Sequence, residues 1–409
     1  MPEYDVIIVG AGLAGLSAAI EITDSGLNAL LIEADSRVGG RVQTDEVDGY
    51  LLDRGFQILL TAYPEAQRLL DFEPLDLMPF ASGALVRIDD QFHPVGDPFR
   101  QPRDLLATAR APIGTWADKA RIIEFRRRVR RQPAEQLFHQ LDMTALERLQ
   151  RFGFSPTIIE RFFRPLVSGI TLDPDLGGSR RQLEFVFRML ADGDAVVPAA
   201  GMGCIPEQLA MRIPANQFRF DTKVLEVGPH HVVTSEGERI SATAVVVATD
   251  ATAAARFTGI DDPGWNSVTS VWFSAPEPPT DSTAIILDGS GAGPAVDVAV
   301  MSNVSARYAP PNRALIVASA LATGDGIENA VQTQLRGWFG TSVDGWTMLR
   351  ADRIDAAQPR FDIGRDPSLD SQLASGVYLA GDHRHDPSIH GALASGHRTG
   401  RAVVSQLTR

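Results

Sequence analysis

The sequence predicts an α/β protein in which a Rossmann-like nucleotide-binding domain is interrupted by an inserted α+β domain. Three observations predict it. Within the first 33 residues come an apolar run, a glycine-rich turn, a helix-like stretch, a second apolar run and an acid. The middle of the chain changes to helical periodicity over 78–195 and to strand-like alternation over 263–352. The carboxyl end then returns to a strand, a turn and a glycine-containing helix.

Tyr4 to Val9 is the first apolar run, and Gly10-Ala11-Gly12-Leu13-Ala14-Gly15 follows it directly. A helix-like stretch runs to Ser25, Gly26 stops it, and Ala29 to Ile32 leads into Glu33. This is the order and spacing of a dinucleotide-binding βαβ unit. Gly10 permits the tight turn, Gly12 lets the backbone approach a diphosphate, and Gly15 lets helix and strand pack closely. The diphosphate is expected at the amides of the helix start, around Leu13, Ala14 and Gly15. Glu33 is placed to bind both hydroxyls of an adenosine ribose. An acid there disfavours a 2′-phosphate, so FAD or NAD is expected before NADP.

At 409 residues the chain has room for two or three domains and a large core. Its 38 basic and 51 acidic residues give 38 − 51 = −13, which argues against nucleic acid as a general partner. One cysteine, Cys204, excludes an internal disulfide and leaves no structural zinc site. Cys204 itself reads as a small buried residue. No run of 18 apolar residues is present, and the first strand begins within a few residues of Met1, so no signal peptide is expected. A cytoplasmic enzyme, with or without peripheral membrane contact, is the expectation.

After Glu33 comes Arg37-Val38-Gly39-Gly40-Arg41, whose paired glycines let backbone pass close to a cofactor and whose Arg41 offers a planar fork. Here the sequence resembles the FAD-containing amine oxidase, protoporphyrinogen oxidase and phytoene desaturase superfamily, and most of all its phytoene-desaturase-like members. Leu52-Asp53-Arg54-Gly55-Phe56-Gln57 matches the segment that runs beside the isoalloxazine ring. Pro198 to Gly203 matches the segment that returns the chain to the cofactor domain. Gly376 to Asp382 and His390-Gly391-Ala392 match the carboxyl-terminal segment. The resemblance implies FAD as cofactor and an amine-oxidase-like (GR2) architecture. FAD-binding parts are expected at 1–77, 196–262 and 353–409, a mostly helical substrate-domain insertion at 78–195 and a substrate-domain sheet at 263–352. The implied cofactor contacts are Gly10, Gly12, Leu13, Ala14, Gly15, Glu33, Ala34, Arg37, Gly39, Gly40, Arg41, Gly55, Phe56, Val224, Gly381, Asp382, His390 and Ala392. His390, Phe56 and Gln57 are the candidate catalytic residues, with the amides at His390 to Ala392 expected to face the flavin pyrimidine edge.

The glycines at Gly289-Ser290-Gly291-Ala292-Gly293 are followed by Pro294, so a second dinucleotide motif is not formed. Electrons are therefore expected to leave to oxygen, a quinone or another carrier rather than to a nicotinamide. Amine oxidases of the superfamily typically carry a lysine near flavin N5, whereas 263–313 contains none. That departure favours hydride removal from a hydrophobic small molecule, isoprenoid or tetrapyrrole-like, over amine oxidation. Flavin-dependent isomerisation without net redox and a purely structural flavin stay open.

Three further features have two readings each. Phe162, Phe163 and Phe187 either line an apolar substrate channel or form the core of the helical insertion. His383, His385, His390 and His397 serve proton transfer beside the flavin or packing; no metal is expected, because two flank a turn and two lie along a helix. Between Arg100 and Arg131 ten basic residues face three acidic ones, 10 − 3 = +7, interleaved with Trp116, Ile122, Ile123, Phe125 and Val129. That segment lies on an anionic bilayer or is a solvated face. Oligomeric state is not legible.

Overall fold

The computed structural model describes residues 3–96, 100, 105–366 and 369–408. Strand Tyr4–Val9 is apolar and buried from Val6 to Val9 because it is an interior strand of a sheet covered on both faces. It pairs in parallel with Ala29–Ile32 on one side, Ile8 opposite Leu31, and with Arg239–Val247 on the other, Ile8 opposite Val246. Phe218–Arg219 extends one edge and Tyr378–Leu379 the other, both in parallel. The antiparallel strands Val224–Gly228 and His231–Thr234 complete the seven. One sheet thus gathers strands from the beginning, the middle and the end of the sequence.

The first helix, Leu13–Asp24, and the last, Ile389–Leu407, pack against each other over this sheet. Small residues permit the approach. A Cβ added at Gly396 would land on the Ala14 carbonyl oxygen, and one at Gly400 would sit 2.8 Å from the Ala18 oxygen. The Ser17 hydroxyl donates to the Leu393 oxygen at 2.8 Å.

A second seven-stranded sheet runs in the order Thr347–Pro359, Trp265–Ala275, Ala314–Ala320, Ala295–Val300, Ile285–Asp288, Gly83–Ile88, Gln91–Gly96. Trp272, Ala299, Leu315 and Val317 on one face join the core that also holds Ile8 and Leu31. Val271, Phe273, Val298 and Ile316 on the other meet helix Ile327–Phe339 through Val331 and Leu335. That helix interrupts a stretch whose alternation predicts only strands.

The insertion expected to be mostly helical opens instead with the hairpin Gly83–Ile88/Gln91–Gly96, which joins the second sheet. Its turn is Asp89-Asp90, both with positive φ, 48° and 62°. Left-handed conformation at both central residues is what a two-residue hairpin needs, and Asp-Asp meets it without the glycine that would have advertised the turn. Helices follow at Trp116–Arg130, Ala145–Phe152, Arg164–Thr171 and Arg180–Asp192. Two of them start on capping boxes, Thr115 with Asp118 and Thr144 with Glu147.

Candidate active site

The glycine-rich turn is shaped by backbone contact. Gly10 has φ +105°, and a Cβ there would sit 2.7 Å from the Ala248 oxygen; a Cβ at Gly15 would collide with the Gly10 carbonyl. Gly12 differs, because a Cβ on it would meet only the Gly39 oxygen, 4.0 Å away. The helix that starts at Leu13 has no side-chain cap and no acid in its first turn. Among the described residues its opening amides and positive dipole end thus meet neither a side-chain cap nor a first-turn acid, which fits a diphosphate.

Glu33 closes this turn. One carboxylate oxygen accepts from the Ala11 amide at 2.7 Å and the other from the Asp35 amide at 3.0 Å. Thr222 donates its amide to the Glu33 carbonyl at 2.9 Å, bringing Val224, buried two residues later, to the same end of the sheet. Gly39 donates to the Ala11 oxygen at 2.9 Å and stands beside Gly12, while Gly40 and Ala34 are exposed at the same edge.

The two arginines of this segment part company. Arg37 is committed to its own hairpin, donating to Gln43 and the Thr44 carbonyl and pairing with Asp45. Arg41 reaches across the fold to Asp382 at 2.7 Å, donates to the Ala357 carbonyl at 3.0 Å, and lies 5.5 Å over the Trp265 ring. Burial works against its charge, yet Asp382 raises its pKa on balance. Asp382 itself follows Gly381, whose amide donates to the Ser395 hydroxyl in the last helix at 3.1 Å. The Arg41–Asp382 pair thus ties the amino-terminal and carboxyl-terminal segments.

Gly55, Phe56 and Gln57 pass under the second sheet. The Phe56 amide donates to Ser270 Oγ at 3.2 Å, and Gln57 Nε2 donates to the carbonyls of Arg41 and Arg54. Gln57 Oε1 is buried and has no partner among the described residues, which leaves an acceptor for a ligand.

His390 sits in an aromatic sandwich, 5.5 Å from Tyr63 and 5.1 Å from Phe185, and burial depresses its pKa. Its Nδ1 has no partner among the described residues. At the helix start that follows, the Gly391 amide already donates to Ser388 Oγ and the Ala392 amide to the Ser388 carbonyl. What this helix end offers a flavin is therefore chiefly its dipole rather than open amides at those two positions. His385, Asp386 and His390 converge, with one ligand-type atom of each within 4.8 Å of the others. Sequence spacing hid this group, because the chain doubles back at Pro387 and Ser388. His385 Nδ1 lies 2.6 Å from one Asp386 oxygen and Ser388 binds the other, so both carboxylate oxygens are occupied. His397 pairs instead with Glu65 at 3.2 Å.

Phe162 and Phe163 are core residues, the second of their two readings. Phe163 packs on Phe154 and Phe187 within the cluster around Phe125, and a cavity of about 10 Å³ at Phe187, Leu166 and Ile170 holds one water at most. In the basic segment, residues 101–104, including Arg103 and Asp104, lie outside the described residues. Helix Trp116–Arg130 turns Phe125 and Val129 inward and leaves Trp116 72% and Ile123 43% exposed. Among the described residues no helix is long and apolar enough to cross a membrane.

Two carboxylates that the sequence did not flag are buried near the site. Asp53 accepts from Thr44 Oγ1, the Met202 amide and Tyr308, joining three distant segments, and burial pushes its pKa up to about 6. Asp297 lies on the second sheet in register with Ser319, on the same face as Ala299 and Val317. Burial pushes its pKa up to about 7 against a single hydrogen bond from Ser319, and its Oδ1 has no partner among the described residues.

Comparison with known proteins agrees with this geometry. The family model described as flavin containing amine oxidoreductase matches residues 13–404. Protoporphyrinogen oxidase 2 of Arabidopsis thaliana is 42% identical over 66 residues, 16% of this chain and 13% of that protein. Coproporphyrinogen III oxidase of Propionibacterium freudenreichii is 29% identical over 171 residues, 40% of this chain and 31% of that protein. These matches span less than a third of either relative. An oxidoreductase from Methanosarcina mazei superimposes with a TM-score of 0.74 over 99% of this chain and 100% of that one, at 15% identity. Putrescine oxidase bound to putrescine does so with 0.71 over 98% and 99%, at 16% identity; at such identities it is the fold that is shared. With a match from its first helix to its last, the chain belongs to the flavin-containing amine oxidoreductase family and is an FAD-dependent oxidoreductase.

Proposed function

We propose that this enzyme removes hydride from a C–H bond of a hydrophobic small molecule, of isoprenoid or tetrapyrrole type, in preference to oxidising an amine. The observation that carries this reading is the position of the lysines. There are two in the chain, and neither is on the second sheet. The Lys119 ammonium donates to the carbonyls of Ala109 and Ala111 in the insertion, and Lys223 precedes Val224 at the adenosine end. The sheet face turned toward the nucleotide-binding domain carries Trp272, Ala299, Leu315 and Val317, and Asp297 on that face lies against Gly169 of the insertion with its pKa pushed up to about 7 by burial.

In this reading 1–77, 196–262 and 353–409 form the cofactor domain, and 78–195 with 263–352 form the substrate domain. Bound FAD supplies the hydride-accepting ring. Gly10, Gly12, Leu13, Ala14 and Gly15 hold its diphosphate and Glu33 its ribose, with Ala34, Gly39, Gly40 and Val224 walling that end. Arg41 and Asp382 steady the middle, with Gly381 at the turn. Gly55, Phe56, Gln57, His390 and Ala392 surround the ring end. Arg37 acts at one remove, by fixing the hairpin. The apolar sheet keeps water from the reacting carbon. Neutral at pH 7, His390 is able to accept a proton through Nδ1. The exposed Leu106, Trp116 and Ile123 among arginines support delivery of a lipid-soluble substrate from an anionic surface.

Single-turnover incubation without oxygen tests the proposal, with products identified by mass spectrometry. A polyene or porphyrinogen that loses two hydrogens supports it. An aldehyde released from an amine, with polyenes and porphyrinogens unchanged, selects amine oxidation instead.

A further inference from the structure

A cavity of about 430 Å³ lies between the turn at Gly259 to Pro263 and the segment His383-Arg384. None of the residues assigned above to the cofactor lines it. Ile260, Pro263 and Leu369 make an apolar wall, and Arg365, His383 and Arg384 a polar one, with Asp261 also present.

The polar wall is built but unsatisfied. His383 is 1% exposed, yet neither ring nitrogen has a partner among the described residues. Burial depresses its pKa to about 4, so at neutral pH the ring holds one unused donor and one unused acceptor. Arg384 is 9% exposed and its Nε is equally unpartnered, while its terminal nitrogen donates to the Asp370 carbonyl at 2.8 Å. Among the described residues Arg365 donates only to the carbonyls of Arg360 and His383, at 2.6 and 2.8 Å. Asp382, Asp362 and Asp262 act on Arg365 at longer range, and no carboxylate reaches ion-pair distance of either arginine among the described residues. Burial lowers the pKa of both guanidiniums, and for Arg384 repulsion from Arg398 and Arg365 adds to it, with the Asp370 carboxylate a weaker opposing influence at longer range.

Partly buried cations left without a counter-ion are costly, and a bound anion removes that cost. The lining charges, two arginines against Asp261, give 2 − 1 = +1, matched by a monoanion. A cavity of this volume takes a small organic molecule, and its apolar wall gives such a molecule's body a place that an inorganic ion would leave empty. We propose that the cavity is a binding site for a small organic monocarboxylate, with the carboxylate held by Arg365, Arg384 and His383 and the apolar portion against Ile260, Pro263 and Leu369. Planar guanidinium forks suit the two carboxylate oxygens.

Calorimetric titration of the FAD-loaded protein with hexanoate, and separately with inorganic phosphate, tests this. Hexanoate is expected to bind at one site per chain, weakened at least tenfold by Arg384→Gln and, independently, by Ile260→Trp, which fills the cavity from its apolar side. Hexanoate should also protect Arg365 and Arg384 from phenylglyoxal, read by mass spectrometry, and that measurement needs no variant to fold. Absence of saturable binding, or binding that neither variant weakens, overturns the proposal. So does phosphate binding as tightly as hexanoate, which would make the site one for an inorganic anion.

Discussion

The nucleotide-binding domain and the second sheet meet their neighbours in opposite ways. Around the dinucleotide turn the close contacts are backbone on backbone: Gly10 against Ala248, Gly15 against Gly10, Gly396 against Ala14. Across the second sheet they are made by buried polar side chains: Asp53 under Tyr308, Ser270 under Phe56, Asp297 opposite Ser319. Backbone contacts tolerate no added atom, so that half is fixed for one cofactor. Side-chain contacts can be exchanged one at a time, so the other half leaves more room for change.

The sharpest way to break the contrast is Gly15→Val, which drives a branched side chain into the Gly10 carbonyl. The expected outcome is no folded, yellow protein; a variant that still binds FAD stoichiometrically by absorbance would show that the turn can yield.

Asp297→Asn probes the other half and should do the reverse. The folded pKa of Asp297, about 7, lies above the 3.8 of a free aspartate. The neutral acid therefore costs nothing below pH 4, and stability is lost as pH rises from about 4 to about 7, where unfolding releases a proton. At about 1.4 kcal/mol per unit the loss is on the order of 4 kcal/mol. Asn should raise the melting temperature at pH 7.5 and leave it nearly unchanged at pH 4, in thermal melts across that range. An equal effect at both pH values would assign Asp297 a packing role only.

Arg41→Gln sharpens the comparison at the seam. It leaves Asp382 buried and unpaired, so FAD affinity should fall at least tenfold by fluorescence titration, and the melting temperature of the apoprotein should fall with it. The smallest effect belongs to the exposed helix: Trp116→Ala should weaken co-sedimentation with anionic vesicles a fewfold, and neutral vesicles should not bind either form.

The same difference decides what a reader of the sequence could see. Glycines forced by local sterics announce themselves, and so the turn and its flanking strands and helix were legible from spacing, whereas Asp382 was named through resemblance. The hairpin at Asp89-Asp90 was not, because aspartate met the left-handed requirement without glycine. Asp297 sits in Ala-Val-Asp-Val-Ala-Val, an alternation that reads as one solvent-facing face, whereas the sheet is covered on both. The pairing of Arg41 with Asp382 and the gathering of His385, Asp386 and His390 depend on long-range or doubled-back chain geometry that no local pattern encodes. Phe162 and Phe163 show a third case: the aromatic run fits a channel or a core equally well in sequence, and packing decides for the core.

The claim beneath this account is that the lysine-free face of the second sheet presents an apolar carbon, not an amine, to the flavin. Anaerobic absorbance of the purified holoprotein against matched panels of polyenes, porphyrinogens and amines measures it directly. Bleaching of the flavin band by a member of the first two panels, with the amines silent, is the predicted result; bleaching by amines alone would contradict it.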